Sequence, residues 1–139
     1  DEQQNHMARM RILSAKDLVV YKKAYDLAMR IFTISKSFPD DEKYALRSQI
    51  RRSSLSVCNN LREAWAKRRY EAHFVSKLTD CDGENSETDT SLDFALDCGY
   101  IGKKEHKEVT EACAEIGRML GSMMRSPGKF LIHDLTSDF

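Results

Sequence analysis

Between Glu42 and Asp82 the chain contains neither proline nor glycine. Both residues weaken helices, proline through its missing N–H and its ring, glycine through its backbone entropy. Within that stretch Leu46, Ile50, Ser53, Val57, Leu61 and Ala64 recur at intervals of three and four. Such intervals put the six side chains on one face of an α-helix. The pattern predicts a helix from near Asp41 to about Arg69.

Three more segments carry the same period. From Asp17 to about Phe38 the apolar positions are Tyr21, Ala24, Tyr25, Ala28, Ile31, Phe32 and Phe38. Asp17 is the expected N-cap, and Pro39 ends this helix because the residue before proline avoids helical geometry. A third helix begins near Tyr70, with Phe74, Leu78, Cys81, Asn85, Thr88, Leu92 and Ala95 as one continuous seam. The fourth follows Gly99-Tyr100-Ile101-Gly102 and presents Val109, Ala112, Cys113, Ile116, Met119, Leu120, Met123 and Met124 before Ser126-Pro127-Gly128. Methionines at this spacing read as core. Four long helices with short connections predict an all-α protein, an antiparallel up-down-up-down four-helix bundle. Residues 17–126 form the expected bundle, with a lead at 1–16, whose DEQQNH start reads as a tag, and a tail at 127–139.

The chain of 139 residues suits one domain with one core. Its apolar runs fall short of the ~20 residues a membrane helix needs, and its start lacks the apolar core of a signal peptide. Cys58, Cys81, Cys98 and Cys113 make no C-x-x-C pair. They read as free thiols in a reducing compartment, so the expected location is cytoplasmic. Formal charge sums to zero but is unevenly placed. Residues 1–72 hold 15 Lys and Arg against 9 Asp and Glu, a net of +6, whereas residues 73–102 hold 1 against 7, a net of −6.

Chemical sites are sought first in the acidic stretch LTDCDGENSETDTSLDFAL, residues 78–96. A calcium loop needs oxygen ligands at positions 1, 3, 5 and 12 around a glycine at 6. Placing Gly83 at position 6 puts Leu78 at 1 and only Asp89 at 12, and the helical seam runs through unbroken. The stretch therefore reads as the third helix. A di-iron bundle needs Glu-x-x-His, and His6, His73, His106 and His133 all lack it. No nucleophile–base pair or phosphate-cradling loop stands out, so no catalytic residue, metal or cofactor is expected. Gly117 and Gly121 read as a place where helices pack closely.

The basic residues carry the functional expectation. Arg47 and Arg51, one turn apart, with Lys67, Arg68 and Arg69 at the helix end, make a strip able to neutralise a phosphate backbone. The competing role is structural. Arg52, Asn60, Glu63, Glu87 and Asp89 form an expected polar network between the second and third helices, with the carboxylates meeting Arg51 or Arg52. Lys67, Arg68 and Arg69 also suit the negative end of a helix dipole.

Several of these motifs resemble a known family. The order LVVYKKAYDLAMRIF, FPDDEKYALRSQIRRSSLSVCNNLREAWAKR and LDCGYI is similar to four-helix-bundle proteins encoded in intervening sequences of 23S ribosomal RNA genes. The most specific part runs from Leu46 to Arg52, with Ser56 and Asn60-Leu61-Arg62-Glu63 after it, and Glu87, Asp89 and Thr90 stand at a Glu-x-Glu-Thr motif. Asn85 and Thr88 occupy positions where that family usually has leucine. The resemblance spans roughly residues 17–124 and implies a bundle without catalytic activity that assembles as a ring-shaped homopentamer. A more distant similarity, to the accessory variability determinants of diversity-generating retroelements, implies binding of nucleic acid. The expectation is a non-enzymatic oligomer that binds RNA, DNA or a ribonucleoprotein partner; the alternative is a protein-interaction scaffold.

Overall fold

The computed structural model describes residues 12–42 and 45–132. Among them are four long helices and no strand: α1 (Val19–Ile34), α2 (Leu46–Ala66), α3 (Glu71–Asp97) and α4 (Lys103–Arg125). Short 3₁₀ turns at Ala15–Asp17, Ser35–Ser37, Asp40–Glu42 and Pro127–Lys129 join or flank them. Each helix packs on two others, α1 on α2 and α4, α3 on α2 and α4, so the four enclose one core. Cross-helix partners run in opposite directions. Arg52 meets Glu87 while Glu63 meets Lys77 between α2 and α3, and Lys23 meets Glu115 while Arg30 meets Glu108 between α1 and α4.

The acidic stretch is helix throughout, and all seven seam residues from Phe74 to Ala95 are buried. Its polar centre is satisfied from inside. Asn85 donates through Nδ2 to the Cys113 carbonyl of α4 at 2.9 Å. The Ser53 and Thr88 hydroxyls lie 2.8 Å apart, and Thr88 also donates to the Glu84 carbonyl at 2.9 Å. A buried polar group costs little once it is paired in this way. Gly117 faces this layer, where an added Cβ would stand 3.5 Å from Asn85 Nδ2, an ordinary contact, so the α3–α4 approach does not require glycine there. Gly121 instead lies beneath Arg125 of its own helix.

Two sequence expectations for α1 need correction. Asp17 does not cap this helix; it accepts from the Leu13 and Ser14 amides at 2.8 and 3.1 Å, closing the turn that precedes α1. Those bonds hold its carboxyl below the usual range. The buried row is Val20, Ala24, Leu27 and Ile31, while Tyr25 and Phe32 are 51% and 44% exposed. Neighbouring rows on a helix share one period and differ by only ~100° of rotation, so spacing alone does not choose between them. The packed region also starts before residue 17, since Ala15 lies in the core.

The ends of the bundle are tied by side chains and by one glycine. Glu42 accepts from the Leu46 amide at 3.2 Å and from the Tyr100 hydroxyl at 3.0 Å, linking the α1–α2 connection to the α3–α4 turn. At that turn Gly99 has φ 77°, and the amides of Gly99 and Tyr100 return to the carbonyls of Leu96 and Ala95. This is a Schellman cap, whose left-handed position favours glycine. Cys58, Cys81 and Cys113 are unpaired core residues whose thiols burial pushes up to about 11, 12 and 12. The expected tail begins by packing back: Phe130 lies against Phe74 with ring centres 6.2 Å apart, and the Ile132 amide donates to the Arg68 carbonyl. Residues 1–11, which include the tag-like start, and residues 133–139 lie outside the described residues.

Candidate nucleic-acid interface

The basic strip expected along α2 divides into two groups with different surroundings. Arg47 donates from Nε to the Ser35 carbonyl at 3.0 Å and from Nη2 to the Phe38 carbonyl. Arg51 donates from Nε to the Ser35 hydroxyl at 2.8 Å and from Nη2 to the Phe32 carbonyl at 3.2 Å. Its guanidinium also lies 4.4 Å from the centre of the Phe32 ring. The last carbonyls of a helix have no partner within it and carry partial negative charge, so two cations there both cap and neutralise the end of α1.

At the other end of α2 the cations face outward. Lys67 and Arg69 are exposed, and neither makes an ion pair among the described residues. Arg68 is half-buried, lies 4.0 Å from the Trp65 ring and donates from Nη1 to the Trp65 carbonyl at 2.7 Å. Burial lowers its pKa from the usual guanidinium value. Arg68 thus braces the end of α2, while its neighbours point into solvent. Tyr70, at the cap of α3, is 60% exposed, with its ring 5.5 Å from that of His73. The returning tail brings Lys129 to the same end.

The expected polar network is smaller than the sequence suggested. Arg52 pairs with Glu87 at 3.1 Å and approaches Glu84 at 3.7 Å. Glu63 meets neither Arg51 nor Arg52; it pairs with Lys77 of α3 at 2.8 Å, which lowers its pKa. Asn60 donates to the Ser56 carbonyl of its own helix at 3.0 Å. Asp89 is turned towards α4, where burial and then Asp93 raise its pKa and His106 lowers it. The physical reason is register. Arg52 and Glu63 share a face of α2 but stand about three turns apart, so each meets a different level of α3. Glu84 emerges as an unforeseen member. One of its oxygens is buried without a hydrogen-bond partner, and burial, followed by Glu87, raises its pKa.

A second exposed surface is apolar. Tyr25, Met29 and Phe32 line the outside of α1, and Leu55 stands one turn beyond Arg51 on α2, each 44–56% exposed. Between α2 and α3 lies a separate shallow groove of about 550 Å³ whose lining includes Leu46, Gln49, Gly83, Glu87, Thr90 and Phe94. Trp65, Tyr70 and the apolar ridge were not singled out as site residues. Tyr70 stands at the start of the third helical pattern, and of the ridge only Tyr25 and Phe32 belong to the apolar pattern of the first. Among the described residues no cluster of His, Cys, Asp and Glu is arranged to hold a metal ion, and no helix is long and apolar enough to cross a membrane.

Fold and surface together define a helical-bundle protein whose distinctive exposed chemistry is a cationic, aromatic tip. The profile of the family described as 23S rRNA-intervening sequence protein matches residues 16–122, and the chain belongs to that family. Among solved structures it is similar to a protein of unknown function from the S23 ribosomal protein family of Bacteroides thetaiotaomicron VPI-5482. That likeness has 28% identity and a TM-score of 0.70, and covers 78% of this chain and 96% of the other. No curated protein matches the chain.

Proposed function

We propose that this protein is a non-enzymatic, cytoplasmic homo-oligomer that binds nucleic acid, RNA above all, through the α2–α3 tip. The carrying observation is the outward placement of Lys67 and Arg69 beside Arg68 and Tyr70. Cations there release the counterions of a phosphate backbone, which makes binding salt-dependent. Zero net charge keeps nonspecific attraction low, so the tip supplies the local field. Arg47 and Arg51 leave the earlier strip, because their donors serve α1. A titration with structured RNA at two salt concentrations tests the reading. Binding should weaken as salt rises and on charge reversal at Lys67 and Arg69. Absent binding at low salt, or binding indifferent to both changes, overturns it.

The exposed ridge of Tyr25, Met29, Phe32 and Leu55 supports self-association, a pentamer by the family resemblance, and favours a second reading as a protein-interaction scaffold. A ridge that packs into a groove elsewhere on the next copy makes a head-to-tail contact, the kind that closes rings. Light scattering should find an oligomer that Tyr25→Glu with Phe32→Glu disperses. A stable monomer overturns self-association.

A further inference from the structure

We infer that the tip takes an unpaired nucleotide, its base stacked on Tyr70 and its phosphates held by Lys67 and Arg69. The inference rests on the nucleic-acid reading and adds the class of substrate. Tyr70 is 60% exposed at the junction of α2 and α3, flanked in sequence by the exposed Arg69. The His73 ring stands 5.5 Å away, tilted 56°, so the two rings are not stacked face to face. Trp65 offers no equivalent face on the side where the Arg68 guanidinium already lies, 4.0 Å from its ring centre. In a duplex the base faces are hidden by stacking, so an exposed aromatic ring among cations finds a partner only where bases are unpaired.

The size of the footprint agrees. A strip running from Arg47 to Arg69 would extend ~30 Å along the helix, long enough to follow a duplex backbone. The structure turns Arg47 and Arg51 towards α1 and pairs Arg52 with Glu87, which leaves Arg62, Lys67 and Arg69, in the last third of α2 or just past it, as the remaining exposed cations. Away from the tip, exposed Asp80 and Glu87 of α3 pair with Lys77 and Arg52, so neither of those cations is left for a phosphate chain laid along the bundle. The surface therefore fits a few nucleotides of single strand or a hairpin loop.

The test compares an oligouridylate with a blunt RNA duplex of equal length at low salt. The single strand should bind, and the duplex should bind at least about tenfold more weakly. Tyr70→Ala should weaken single-strand binding by about tenfold, with an unchanged salt slope and unchanged helical circular dichroism. Tyr70→Trp should retain binding, whereas Lys67→Glu with Arg69→Glu should flatten the salt slope. Equal affinity for strand and duplex, or a Tyr70→Ala variant that binds as tightly as the parent, overturns this inference and leaves salt-dependent nucleic-acid binding standing. No binding to either probe overturns both.

Discussion

The two ends of α2 carry similar cations with opposite fates. Near its start, Arg47 and Arg51 reach back to carbonyls at the end of α1, and Arg52 crosses to Glu87 of α3. At its finish, Lys67 and Arg69 face water, and Arg68 folds onto Trp65. What separates them is the partner each position meets. The first group lies beside a helix C-terminus and an acidic helix face, both of which attract positive charge. The second group leaves the bundle at a turn. Runs of arginine therefore indicate positive charge without indicating whether the protein itself consumes it.

The largest expected effect belongs to the outward end. Lys67→Glu with Arg69→Glu should weaken RNA binding by tenfold to about a hundredfold at low salt and reduce the salt slope by ~1.4 for two lost single-strand phosphate contacts. Its urea midpoint should fall only slightly, because two exposed cations at the end of α2 contribute about 0.3–1 kcal/mol each. Next comes the inward end: Arg51→Ala should destabilise the fold by about 2 kcal/mol, the scale of hydrogen bonds made by a charged group, and leave RNA affinity unchanged. Chemical denaturation with a parallel titration checks both halves. An Arg51→Ala variant that loses RNA affinity but not stability would break the division.

Arg52→Ala should cost less, at most about 1 kcal/mol, because the Arg52 side chain is 55% exposed and water screens its pairs with Glu84 and Glu87. The smallest effect concerns pH. Burial holds the Glu84 carboxyl above its usual 4.5, so the folded chain binds this proton more tightly than the unfolded chain does. Between 4.5 and the raised folded value, the contribution of Glu84 to stability grows as pH falls and is lost as pH rises. Asp17, Glu63 and Glu108 are lowered, and act in the opposite sense: their contribution is present above the unfolded value and disappears as pH falls through the folded one. Urea midpoints measured across mildly acid pH should show Glu84→Gln losing the gain while keeping the acid loss.

The helices were legible because their seams are long. Phe74 to Ala95 holds one period for six turns, and no neighbouring row competes, so every member is buried. In α1 two adjacent rows are both apolar, and spacing chose the wrong mixture: Tyr25 and Phe32 lie outside. The candidate site was legible in part. Lys67, Arg68 and Arg69 were marked by charge. Tyr70 stands four residues before Phe74 in the seam's own spacing, which gave no sign of its exposure, and Glu63 gave no sign of pairing with Lys77 rather than an arginine. Such partnerships depend on the relative height of two helices, which neither helix encodes alone.

By itself, then, the chain determined four helices, the glycine turn after the third and the polar seam within it, since these follow from local sterics and from a period repeated along one segment. The first helix, expected to run to about Phe38, ends at Ile34. The tertiary structure alone decided which row of α1 is buried and which α2 cations remain available. Both depend on what lies across the gap from each side chain, and packing sets that distance and register only when all four helices come together.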